Sequence, residues 1–297
     1  MRPVTASAGL GTGTAVAVLR ASRPKQWVKN GLVFAAPLAA GTVTHGDVAA
    51  RTAVAFVAFT MLASGTYLLN DCRDAADDRL HPRKRLRPIA AGALSVPLAV
   101  GVGASLIAAG LAVAAALGWE SLAIAAGYVT LTSLYSLWLR SIEVIDIAAV
   151  AGGFVLRAAA GGAAADVHLS PWFLIVTSFS ALFIVAGKRL SEQELGEPSR
   201  VTLAVYPTAY LRGVCTLAAT VATSAYCVWA FSRPSVDQLL WAKISVIPFA
   251  IALLRYGLLI ELGRAGVPEE TFLADRTLLL LAGIWAAIFA AGALQIG

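Results

Sequence analysis

The chain has 297 residues, of which 59% are hydrophobic and 13% charged, with a formal net charge of +6 and a mean hydropathy of +0.77. Soluble domains carry about a quarter charged residues, so this composition excludes a soluble enzyme and points to an integral membrane protein. The basic residues flank apolar stretches rather than lining a soluble face, which excludes nucleic acid as the partner and favours anionic lipid or an anionic substrate.

Residues 1–20 are rich in Gly, Ala and Thr and weakly apolar, which predicts a flexible or interfacial tail rather than a cleaved signal. Residues 21–297 then read as one transmembrane domain, because no soluble linker interrupts them. Apolar stretches of about 20 residues, the length that crosses a bilayer, recur along the chain. They predict nine spans near 28–45, 49–71, 93–117, 119–139, 142–164, 169–187, 207–231, 240–262 and 273–296, an all-α bundle with its polar cavity facing the cytoplasm. The first span is short and interrupted by Pro37. Lys and Arg collect at one set of span ends, around Arg20–Lys29, residues 73–87, Arg140, the Lys188/Arg189 pair and Arg264, and the positive-inside rule puts that face in the cytoplasm. Small-residue faces such as Gly152-Gly153 and Gly161-Gly162 permit close helix packing and a homo-oligomer without requiring one. The three cysteines, Cys72, Cys215 and Cys227, show neither a disulfide framework nor a metal-ligand spacing.

At the end of the second span, Asn70, Asp71, Asp74 and Asp78 fall on one narrow helical face at about 100° per residue, with Asp77 beside them. Clustered carboxylates repel one another unless a cation sits among them, and an all-oxygen donor set suits Mg²⁺. Asp71, Asp74 and Asp78 are therefore the candidate metal ligands and catalytic acids, with Asn70 assisting. The basic run directly after them contains Arg83, Lys84, Arg85 and Arg87, suited to gripping the phosphates that complete a magnesium shell. Together they predict diphosphate handling at a membrane surface. A topogenic role would account for the basic run alone, and a solvated helix end for the acids alone.

Further along, Asp146 and Arg157 of the fifth span are charges at bilayer depth, about three turns apart on one face. Arg157 either neutralises a buried carboxylate or meets substrate. After the sixth span comes Gly187-Lys188-Arg189-Leu190-Ser191-Glu192-Gln193-Glu194, a second polar extension at the same membrane face. The Arg23-Pro24-Lys25-Gln26-Trp27-Val28-Lys29-Asn30 stretch reads as an interface anchor or as a cradle for a lipid phosphate.

The pattern N-D-x-x-D-x-x-x-D at Asn70–Asp78, followed by His81-Pro82, Arg87-Pro88 and Gly92, resembles the first signature of the UbiA superfamily of intramembrane prenyltransferases, over nearly the whole chain. Most members carry a second aspartate-rich motif after the sixth span, and the two motifs together hold Mg²⁺ and a prenyl diphosphate. Here Lys188 and Arg189 stand in that place. This departure resembles the branch of the superfamily in which a polyprenyl (decaprenyl) phosphate is the acceptor and phosphoribosyl diphosphate the donor, yielding a lipid used for cell-wall arabinose donors. The resemblance implies Mg²⁺ as cofactor, with Lys29, Lys188 and Arg189 positioning the lipid phosphate and a plasma-membrane location. The first alternative is transfer of a prenyl chain from its diphosphate to an aromatic or other acceptor. The second is a membrane transporter, which would carry charges or broken helices near the bilayer midplane, or a protein that only binds lipid, against which the intact acids of the first motif argue.

Overall fold

The computed structural model describes residues 10–194, 201–232 and 236–294, with no strand among them. Residues 10–20 of the expected tail, together with Ala21, form helix α1, whose Ala17 and Ala21 are buried in one cluster with Leu68, Ala75 and Ile89; residues 1–9 lie outside the described residues. An eleven-residue 3₁₀ segment, Pro24–Phe34, runs into the short α2, Ala35–Ala39. Next come α3 (Gly46–Arg73), α4 (Ala75–Leu80), α5 (Val96–Leu117), α6 (Trp119–Leu137), α7 (Ile145–Ala165), α8 (Pro171–Glu194) and α9 (Val201–Val205). The chain closes with α10 (Thr208–Phe231), α11 (Val236–Glu261), α12 (Pro268–Ala274) and α13 (Arg276–Leu294).

The expected span at 28–45 is corrected: no long helix forms there. Pro24 and Pro37 lack backbone donors and Gly41 turns at φ 73°, so only the 3₁₀ segment and the five-residue α2 remain. Six helices, α3, α5, α7, α8, α10 and α11, are long and apolar enough to cross a membrane; α12 and α13, bent 86° at their junction, make a seventh if counted as one span. The 19-residue α6 occupies the expected fourth span but is diluted by Glu120, Tyr128, Tyr135 and several hydroxyls. Nine spans are therefore not reached among the described residues.

The long helices alternate in direction, so the ends of α3, α6, α8 and α11 gather with the starts of α5, α7, α10 and α13 at one mouth. In each half a helix ending at this mouth is followed by a short helix and then by its packing partner: α3–α4–α5 and α8–α9–α10. Close approach depends on glycine. A Cβ on Gly65 of α3 would lie 2.6 Å from the Gly103 carbonyl of α5, and one on Gly161 of α7 would lie 1.7 Å from the Val33 carbonyl of the 3₁₀ segment. At the far end, Arg51 donates to Ala164 O (2.6 Å) and Leu117 O (2.9 Å), satisfying carbonyls left over where α7 and α5 stop.

Candidate active site at the polar mouth

Helix α3 stops at Arg73, Asp74 sits at φ −85° and ψ 4°, and α4 begins at Ala75. Backbone bonds from Asp74 N to Asn70 O (2.9 Å) and from Asp78 N to Asp74 O (2.8 Å) carry the helical register across this break. Asp71 and Asp78, two turns apart, are both 3% exposed. One atom joins them: Arg87 Nη1 donates to Asp71 Oδ1 at 3.1 Å and to Asp78 Oδ2 at 2.7 Å. Arg23 Nη2 donates to the same Asp71 oxygen at 2.5 Å, while its guanidinium lies 5.0 Å from the centre of the Tyr67 ring.

Asp74 instead faces Arg140, whose Nη1 lies 3.2 Å from its Oδ2. Asp77 is exposed and Asn70 half-buried. The three acids of that face are thus divided between two arginine systems, and among the described residues no group of three His, Cys, Asp or Glu side chains has metal-binding spacing. Two carboxylates do converge on the position of the Arg87 nitrogen. That donor set fits Mg²⁺, which is commonly held by one or two carboxylates plus substrate phosphates.

Of the basic run, Arg83 and Arg85 are exposed and Lys84 half-buried. The Arg83 and Lys84 backbone N–H groups donate to His81 Nδ1 at 3.2 and 3.3 Å, so His81 shapes the loop that seats Arg87 on the acids.

The cations expected at the lipid side separate into two groups. Arg157 is 6% exposed and donates to Asn30 Oδ1, Gly153 O and Tyr128 OH, each at 2.8 Å. All three acceptors are neutral. A buried cation without a carboxylate in contact is costly, and a bound anion offsets that cost. Lys29, the residue before Asn30 in the same 3₁₀ segment, lies 3.3 Å from Glu269 Oε2. Burial pulls its ammonium down to about 8, the Glu269 carboxylate opposes this, and the charges of Lys188 and Arg157 add to the lowering. Lys188 lies 3.6 Å from Glu192 and is 34% exposed in its side chain.

Arg189 is placed differently from expectation. It is 2% exposed, with Nη1 donating to Glu192 at 3.0 Å, Nη2 donating to Tyr135 OH at 3.3 Å and Nε lying 3.4 Å from Asp146. Asp146 is fully buried and also accepts from Tyr206 OH at 2.6 Å and from Thr202 at 3.3 Å. Arg189 is committed to the α7–α8 joint in this conformation rather than presented to a ligand, and Asp146 pairs with it rather than with Arg157. The Glu194 side chain lies outside the described residues.

Tyr67, one turn before Asp71, connects the two sides: it packs against the buried cluster that contains Tyr128, which holds Arg157, and lies under Arg23. Sequence spacing gave no mark to Tyr67, Tyr128, Tyr135 or Glu269. Arg140 looked like an interfacial charge, and its bond to Asp74 spans 66 residues.

These features define a multi-pass helical membrane protein with a buried, charged mouth that joins paired carboxylates to a set of cations. The chain belongs to the UbiA prenyltransferase family, whose pattern matches residues 31–279. It is 44% identical over 284 residues to the decaprenyl-phosphate phosphoribosyltransferase of Mycolicibacterium smegmatis, covering 90% of this chain and 89% of the relative. The enzyme of the same name from Corynebacterium glutamicum is 45% identical, with 90% and 84% covered. Among solved structures, a UbiA homolog from Archaeoglobus fulgidus bound to GPP and Mg²⁺ superposes with a TM-score of 0.72, covering 94% of this chain and 99% of that one. At 18% identity that likeness concerns the fold.

Proposed function

We propose that this protein transfers the 5-phosphoribosyl group of phosphoribosyl diphosphate to a polyprenyl (decaprenyl) phosphate, feeding arabinan precursor synthesis from the cytoplasmic face of the plasma membrane. A lipid phosphate oxygen forms a bond to the anomeric carbon, the bond from that carbon to the diphosphate breaks, and pyrophosphate leaves. The acceptor is already an anion near neutral pH, so no general base is required. The phosphoribosyltransferase relatives support this reading, and one observation carries it for this chain. Arg157, buried with only neutral hydrogen-bond partners among the described residues, stands with Lys29 and Lys188 where a lipid monophosphate would be neutralised.

Asp71 and Asp78 would hold Mg²⁺, with Asp74 and Asn70 adjoining; when bound, the ion neutralises charge developing on the leaving diphosphate. Arg87 and Arg23 sit beside those acids and would grip diphosphate oxygens once freed from them, with Arg83, Lys84 and Arg85 at the rim for the ribose phosphate. Lys29, Lys188 and Arg157 would orient the acceptor, and Arg189 would hold α8 so that Lys188 faces them.

The test is incubation of purified protein with labelled phosphoribosyl diphosphate, polyprenyl phosphate and Mg²⁺, followed by analysis of the lipid fraction. Label is expected in lipid. Label that stays in water, while a prenyl diphosphate alkylates an aromatic acceptor, would establish conventional prenyl transfer instead.

A further inference from the structure

Glu269 enters the polar mouth from α12 and places a carboxylate among the cations of the lipid side. Its side chain is 7% exposed, with Oε2 3.3 Å from Lys29 Nζ. Gln26 donates to its other oxygen, and Oε2 has no aligned hydrogen bond despite its burial. The position is fixed from both ends: Glu270 pairs with Lys25 at 3.2 Å, and Arg255 holds Asp275, just after α12, at 2.6 Å.

Counted over the described side chains, this side holds four cations, Lys29, Lys188, Arg189 and Arg157, against three carboxylates, Glu269, Glu192 and Asp146. One positive charge is left over. A lipid monophosphate suits that balance, whereas a diphosphate brings further negative charge beside a carboxylate that cannot leave.

Resting on the acceptor reading above, we propose that Glu269 is a specificity-determining residue: its fixed charge beside Lys29 lets the lipid side accept a polyprenyl monophosphate and reject a polyprenyl diphosphate. Repulsion between unit charges a few ångströms apart near a protein surface is worth about tenfold or more in binding. A neutral residue at 269 removes that repulsion and raises the excess positive charge, and the more highly charged lipid gains more.

The experiment measures binding of polyprenyl phosphate and polyprenyl diphosphate separately, to full-length protein in nanodiscs, without sugar donor and with chelator present. Glu269→Gln keeps the shape and the contact with Gln26, and is expected to improve diphosphate binding about tenfold relative to monophosphate. Glu269→Asp and Glu270→Gln are expected to keep the wild-type ratio, since one retains the charge and the other alters an exposed pair. Should Glu269→Gln fail to fold, Glu269→Ala reads the same ratio. An unshifted ratio in the neutral variants, or a wild type that prefers the diphosphate, overturns the assignment. Wild-type protein that binds no monophosphate sinks the acceptor reading instead.

Discussion

Gly161→Ala tests whether the 3₁₀ segment positions the acceptor cations. The added methyl carbon would lie 1.7 Å from Val33 O and 2.7 Å from Val33 C, both backbone atoms that no rotamer change can move. Carbon and carbonyl oxygen settle at about 3.3 Å or more, so the segment has to retreat by roughly 1.5 Å. Overpacking of this kind costs about 1–3 kcal/mol in stability. The same retreat carries Lys29 and Asn30 away from Arg157, and a misplacement of about 1 Å at a reacting group costs on the order of 100-fold in rate. Phosphoribosyl transfer into the lipid fraction and thermal unfolding in one detergent measure the two effects together. The expected result is lower stability, with an apparent Michaelis constant that rises more for polyprenyl phosphate than for the sugar donor. Gly127→Ala, where the new methyl meets open space, is the matched control. Wild-type turnover and melting in Gly161→Ala would refute the role given to this contact.

Three other outcomes are expected. Asp71→Asn and Asp78→Asn each lower turnover by about 100-fold or more while the protein still inserts, because each removes half of a shared anionic pair; full magnesium-dependent turnover in either variant would remove that assignment. Arg157→Lys behaves as a loss rather than a conservative change, since an ammonium cannot reproduce the three directed bonds to Asn30, Gly153 and Tyr128; an unchanged Michaelis constant for the lipid would refute this. Burial places Lys29 at about 8, and only its protonated form attracts phosphate, so lipid binding is full below that value and weakens as pH rises through it. Lys29→Arg stays charged across the range, so its lipid-binding profile should lose this step; a step of the same size in both proteins would show that another group titrates.

The long apolar helices were legible in the sequence because length and hydropathy determine a membrane span directly. The region 28–45 was misread for the same reason: averaged hydropathy ignores that Pro24, Pro37 and Gly41 shape local backbone. At the mouth, the Asn70–Asp78 spacing marked the acidic residues, since they lie on two adjoining helices that keep register. Which acid meets which base was not legible. Arg23 reaches Asp71 over 48 residues and Arg140 reaches Asp74 over 66, and such partnerships follow from how the helices pack rather than from spacing. Arg189 illustrates the same limit: its position after the sixth span was readable, but its burial against Asp146 depends on the meeting of α7 and α8.

The 28 residues of α3 span about 42 Å at roughly 1.5 Å per residue, against a hydrocarbon thickness of about 30 Å. Some two turns of α3 therefore exceed the thickness of the acyl chains, and its mouth end, which stops at Arg73, carries Asp71. A water-soluble sugar donor can dock there without being dragged into oil, and a long isoprenoid needs only to lift its head to the same level while its tail stays dissolved among its own kind.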